Sequence, residues 1–263
     1  MIKITKKYQK WHSILYLVLT VKAYKKKVIF MLKNIKKINF ILSQNNNEHD
    51  SYKEDIVKYW NDFSKDKTEI FNGDVVSVQD INELNDDYKL TLNIIKFSDV
   101  VYSKMVGKIK TRTLFSGGYI LTSDNYIGFV IDRRNTLNLV GGMASTEEFI
   151  NNKYNPNLCM FREFKEELGI DIECDKFDSV IKYIKYPDGS EDTQSHYPIG
   201  LIYEIKTNYN KEELSSLFNT SKHDNEINSI LFLNYDDCDK LSQYTKKDYI
   251  DELYRAIINN KRR

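Results

Sequence analysis

The sequence predicts an α/β protein, a sandwich of helices on a mixed sheet, preceded by a small α+β region. Short segments rich in β-branched and aromatic residues recur along the chain, separated by turn signals such as Asn72-Gly73 and Ser123-Asp124-Asn125. Segments with helical apolar spacing are interleaved with them, which argues against an all-β fold. The 263 residues, 41% hydrophobic and 29% charged, suffice for one large or two small domains.

Residues 1–47 read as a basic, partly apolar extension ending in a linker at Gln44-Asn45-Asn46-Asn47. They hold eleven lysines and no acid, which leaves 28 basic against 38 acidic side chains in the remainder. An acidic body suits the recruitment of divalent cations, and no stable nucleic-acid complex is expected of it. Lys3, Lys6, Lys7 and Lys10 precede an apolar stretch, Trp11 to Val21, which loosely resembles a signal peptide but is short for a membrane span. A basic amphipathic extension, or a start at Met31, is the plainer reading, with residues 1–30 the candidate for any membrane contact. Cys159, Cys174 and Cys238 are odd in number and form no CxxC pair, which argues against a disulfide framework and for a reducing, cytoplasmic compartment.

Residues 48–110 form the expected small α+β region. Tyr52–Phe63 has helical spacing, while Asp74–Gln79 and Tyr88–Phe97 read as strands. Residues 111–240 form the main domain. Tyr119–Leu121 and Ile127–Ile131 flank a turn and predict a hairpin. Asn157–Leu168 predicts a helix ended by Gly169. Ser179–Lys185 and Ile199–Ile205 read as strands about a turn at Pro187-Asp188-Gly189. Lys211–Phe218 reads as a short helix and Ile227–Leu233 as a strand. Residues 241–263 carry a final amphipathic helix over Lys247–Ile258.

The chemistry concentrates in two segments, Gly141 to Glu148 and Arg162 to Ile170. Glu163, Glu166 and Glu167 stand at i, i+3 and i+4, so they share a helix face, while Phe164 and Leu168 lie on another, with Met160 and Phe161 one turn earlier, giving an apolar stripe beside the carboxylates. Like charges on adjacent turns repel, and hard carboxylate oxygens at this spacing suit Mg2+ or Mn2+. Arg162 is placed to clamp a further carboxylate through its planar fork. A solvated acidic face is the bland alternative for the Glu-x-x-Glu-Glu run taken alone.

The pattern resembles the Nudix box, Gly-x5-Glu-x7-Arg-Glu-apolar-x-Glu-Glu-x-Gly-apolar. Gly142 and Glu148 fit its first half, and Arg162 to Ile170 fit its second. Thirteen residues separate Glu148 from Arg162 where the family has seven, so residues 151–156 read as a six-residue insertion before the helix. Val140 stands where many members have Pro, and Glu147 where Gly is usual.

The resemblance implies a Nudix α/β/α sandwich and cleavage of a diphosphate linkage by metal-activated water. Glu163, Glu166 and Glu167 would ligate the cation, with a backbone carbonyl near Gly142 completing its shell. Arg162 would pair with Glu148 or orient a catalytic carboxylate, and Glu163 or Glu166 would take a proton from water. Glu226, before the last strand, is a further candidate base; an ordinary loop acid is the alternative. Arg133 and Arg134 are candidates for holding substrate phosphates, against an exposed strand end. His196 reads as an isolated strand-end histidine.

Tyr59-Trp60, Ile70-Phe71-Asn72-Gly73, Tyr88–Ile95 and Phe97-Ser98-Asp99 look like the N-terminal region of the UDP-sugar diphosphatase branch. That branch would yield UMP and a sugar 1-phosphate. ADP-ribose or NADH cleavage, and a non-catalytic nucleotide-binding Nudix module, are the alternatives. In each case the partner is a nucleotide-diphosphate small molecule.

Overall fold

The structure is a computed structural model and describes residues 30–43, 49–67, 70–187, 195–247 and 249–261. The proposed signal-like segment, the Gln44–Asn47 linker and the Asp188-Gly189 part of a turn lie outside these residues.

In chain order the elements are β1 (Phe30–Asn34), β2 (Lys37–Leu42), α1 (Lys53–Ser64), β3 (Asp74–Leu84), β4 (Asp87–Lys96), α2 (Phe97–Val106), β5 (Leu114–Leu121) and β6 (Ile127–Asp132). There follow β7 (Thr136–Asn138), β8 (Val140–Met143), β9 (Phe149–Ile150), β10 (Lys153–Tyr154), α3 (Pro156–Leu168), β11 (Phe177–Pro187) and β12 (Ile199–Thr207). The chain ends with α4 (Lys211–Thr220), β13 (Ile227–Leu233), β14 (Thr245–Lys246) and α5 (Ile250–Lys261).

The main sheet is mixed and runs β1-β11-β12-β5-β6-β7-β14, with β13 added on β6 and β8 on β5. The pairs β12–β5 and β7–β14 are parallel and the others antiparallel. Alternation along β5 explains the layering, because successive side chains leave a strand on opposite faces. Leu114 and Ile120 enter one core with Met160, Phe164 and Leu168 of α3 and Leu214 and Phe218 of α4. Tyr119 and Leu121 enter a second core with Leu253, Tyr254 and Ile257 of α5. Helices therefore cover both faces, and the expected α/β/α sandwich on a mixed sheet is present.

A second sheet, β2-β4-β3, belongs to the smaller region. Its Val76, Val78, Leu90 and Leu92 share the α3-side core with the main sheet, so packing is continuous across residue 110. Residues 30–42, expected in an extension, instead form strands in the two sheets. β1 pairs with β11 at the edge of the main sheet, and β2 pairs parallel with β4. Both pairings join segments remote in sequence, which local composition does not report.

The strand expected over Tyr88–Phe97 stops at Lys96, because Phe97 opens α2. Asn72 Oδ1 accepts the Ser98 N–H at 2.7 Å and Asp99 Oδ2 accepts the Lys96 N–H at 2.9 Å, satisfying two donors at that helix start. Trp60 packs edge-on against Phe97. Asn72, Asp99, Trp60 and Phe97, four of the residues that suggested the UDP-sugar branch, thus have capping and packing roles here. Among the described residues, no helix is long and apolar enough to cross a membrane.

Candidate active site

The acidic helix α3 starts and stops on local signals. Asn155 is its N-cap and accepts the Asn157 N–H, Pro156 occupies the first turn, and Gly169 takes a left-handed φ of 69° just past its end. Two stripes at four-residue spacing face inward. Met160, Phe164 and Leu168 enter the core, where burying Phe164 contributes about 2–3 kcal/mol. Cys159, Glu163 and Glu167 form the second stripe, also buried.

That stripe lies against β8, and the glycines there are required by contact. A Cβ on Gly142 would stand 2.2 Å from Glu163 Oε1. Gly141 has φ +146°, and a Cβ there would meet the Ser116 carbonyl oxygen at 2.1 Å. The Gly141 N–H donates to Glu167 Oε2 at 2.9 Å. The two carboxylates are thereby packed on backbone, not extended into solvent.

Arg162 organises the remainder. Its Nε and Nη2 donate to Glu148 Oε1 at 3.2 and 3.1 Å, and its Nη1 to Glu163 Oε1 at 2.6 Å and Glu166 Oε2 at 3.3 Å. Nη2 also donates to the Met143 carbonyl at 3.3 Å. Glu148 is 1% exposed, and its other oxygen accepts the Ser145 N–H. The residue displaced by the insertion is thus brought to Arg162. Arg162 thus contacts Glu148, Glu163 and Glu166 together.

The insertion is itself ordered. β9 and β10 form a two-residue hairpin across Asn151 and Asn152, whose φ values of 50° and 62° suit a type I′ turn.

The loop before β13 joins the cluster. The Asp224 N–H donates to the Glu166 carbonyl at 2.8 Å, the Glu226 N–H to Asp224 Oδ1 at 3.1 Å, and the Arg133 N–H to the Glu226 carbonyl at 2.9 Å. Asp224 and Glu226 are both buried, and their charges help raise Glu167. Asp224 was missed in the sequence, where it is one of two acids in a single polar run, His223 to Glu226. Arg133 and Arg134 are exposed in the turn after β6, not on the strand, with Arg134 within electrostatic reach of Glu226. His196 lies in another seam, with Nδ1 2.7 Å from Thr111 Oγ1; burial and then Lys104 push its pKa well down.

The carboxylates carry their charge at a cost. Burial, then the charge of Glu163, pushes Glu166 up to about 7. Burial and Glu163 likewise push Glu167 well up, and burial raises Glu148 despite Arg162. Burial opposes the charge on Arg162, but Glu163, Glu148 and Glu166 outweigh it and hold the guanidinium firmly protonated. Such a cluster fits a divalent cation in donor type and in its excess of negative charge. Among the described residues, no three acidic, His or Cys side chains converge as a finished metal cage. Glu163 and Glu166 turn toward Arg162, and Glu167 toward Gly141.

A pH dependence follows. A carboxyl raised in the folded state contributes stability that is full below its unfolded pKa of about 4.3 and is lost as pH rises through the folded value. The metal-free protein is therefore expected to lose several degrees of Tm between about pH 4.5 and 7.5. Millimolar Mg2+ should restore them at pH 7.5 and do little at pH 5. Thermal melts across that range check this; a Mg2+ effect independent of pH would contradict it.

The fold and this cluster define an α/β/α sandwich with a buried carboxylate–arginine helix end. No protein-family model matches the chain, and no curated protein matches it. Solved structures similar to it include a NUDIX-family hydrolase from Clostridium perfringens, at 13% identity and TM-score 0.38, covering 56% of this chain and 97% of that one. The NUDIX domain of NrtR from Shewanella oneidensis, solved with ADP ribose, has 12% identity and TM-score 0.36, covering 59% and 91%. A MutT protein from Methanosarcina mazei has 12% identity and TM-score 0.38, covering 59% and 98%.

Proposed function

We propose that this protein is a Nudix-type, Mg2+-dependent hydrolase that cleaves the diphosphate linkage of a nucleoside diphosphate derivative. The observation that carries the reading is the gathering of Glu148, Glu163 and Glu166 around Arg162, with Glu163 pressed on Gly142. Glu163, Glu166 and Glu167 would hold the cation, Mn2+ being a substitute. When bound, it neutralises diphosphate oxygens and lowers the pKa of water. Arg162 keeps the carboxylates from repelling one another apart. Glu226, buried with Asp224 beside it, would accept a proton, and Arg133 and Arg134 would donate hydrogen bonds to substrate phosphates.

The experiment is product analysis with Mg2+ on UDP-glucose, ADP-ribose and NADH side by side. A nucleoside monophosphate released from at least one is the expected result, and UMP with glucose 1-phosphate would select the UDP-sugar branch. A second reading, a nucleotide-binding module without turnover, is favoured by the direct hold of Arg162 on Glu163 and Glu166. Tight binding of one of these compounds with no product from any would select it.

A further inference from the structure

We propose that the β2-β4-β3 sheet and the β9–β10 hairpin form a clamp that positions Glu148, with Phe40 and Tyr154 as its locking residues; this rests on the hydrolase reading above. Glu148 closes a short 3-10 turn, Thr146–Glu148, held by the small sheet before it and by the hairpin after it. Before it, the Val76 N–H of β3 donates to the Ala144 carbonyl at 2.9 Å, and Val75 bridges Ser145. After it, the inserted hairpin returns the chain so that the Asn155 N–H donates to the Glu148 carbonyl at 2.9 Å. The backbone of Glu148 is thus tied directly to the N-cap of α3.

The hairpin is too short to hold itself, since an isolated pair of two-residue strands has almost no hydrogen-bonded ladder. Its anchor is aromatic. Tyr154 is 9% exposed, its ring 5.4 Å from that of Phe149, the residue after Glu148, and 5.0 Å edge-on from that of Phe40 on β2. Phe40 is in turn fixed by parallel pairing of β2 with β4 opposite Leu90. Shifting Glu148 by about an ångström would break the double contact with Arg162, and Arg162 holds the proposed metal ligands. On this view the inserted residues, which lengthen the spacing, fold back so that Glu148 still reaches Arg162, and strand Lys37–Leu42 belongs to the working site.

The test uses the full chain with Phe40→Ala, Phe40→Leu and Phe40→Tyr. Each is measured for Mn2+ affinity by calorimetry with MnCl2 alone, for kcat and KM on whichever diphosphate the wild type cleaves, and for Tm. Phe40→Ala should weaken Mn2+ binding about fivefold and lower kcat about tenfold with KM within twofold, while Phe40→Tyr restores both. In a Glu148→Gln background, Phe40→Ala should weaken Mn2+ binding no further. A lowered Tm with wild-type kcat and Mn2+ affinity, or full additivity with Glu148→Gln, overturns the proposal. If Phe40→Ala fails to fold, Phe40→Leu is read by the same criteria. A wild type that binds Mn2+ but cleaves nothing refutes the hydrolase reading, and the clamp is then judged on Mn2+ affinity alone.

Discussion

Glu166→Gln and Glu167→Gln should each lower turnover on the order of a thousandfold if, as proposed, several kcal/mol of charge stabilisation depend on these carboxylates holding a cation. The same changes should leave the metal-free fold intact or firmer. Glu166 is held up to about 7 by burial and by Glu163, so an amide there removes repulsion, and the amide oxygen can still accept from Arg162. A gain of about 2–5 °C in Tm without metal is expected for Glu166→Gln, together with loss of the Mg2+-induced stabilisation. For Glu167→Gln, the amide oxygen still accepts the Gly141 N–H, so the fold should hold. Activity lost while stability rises is the pattern of a functional site, since a merely structural ion cluster would lose stability. Wild-type turnover in both variants would remove the metal role from this helix.

Arg162→Ala should be the most destabilising single change at the site. It strands Glu148, 1% exposed, without its ion-pair partner, and frees Glu163 and Glu166 to repel each other. Breaking a buried pair by removing one member costs about 3–5 kcal/mol, which for a chain of this size lowers Tm by about 10 °C. Arg162→Lys should recover only part of this. An ammonium is a point charge and cannot reach Glu148, Glu163, Glu166 and the Met143 carbonyl together. Urea unfolding and initial rates measure the two effects. A lysine variant equal to wild type in both would show that the planar fork is not what the site needs.

The helix carrying the carboxylates was legible because its signals are local. Pro156, the i, i+4 repeats and Gly169 lie within fifteen residues of one another, and the predicted helix differs from the observed one by a single residue at its start. Strand Ile227–Leu233 was legible for the same reason. Helix α2 was not, because its first turn is capped from Asn72, 26 residues upstream, while its own Phe97 continues an apolar strand pattern.

By itself the sequence determined which residues make up the proposed site: three carboxylates and an arginine on adjacent turns, and a glycine pair upstream. It also determined the layered α/β class, since alternation and helical spacing are properties of neighbouring residues. The tertiary structure alone decided where those residues stand. It returned Glu148 to Arg162 across an insertion, brought Asp224 and Glu226 to the cluster, and recruited residues 30–42 into two sheets. Each of these depends on contacts between residues far apart in the chain. Such contacts form only when burial of the shared core offsets the entropy of closing long loops, and a linear pattern carries no record of that balance.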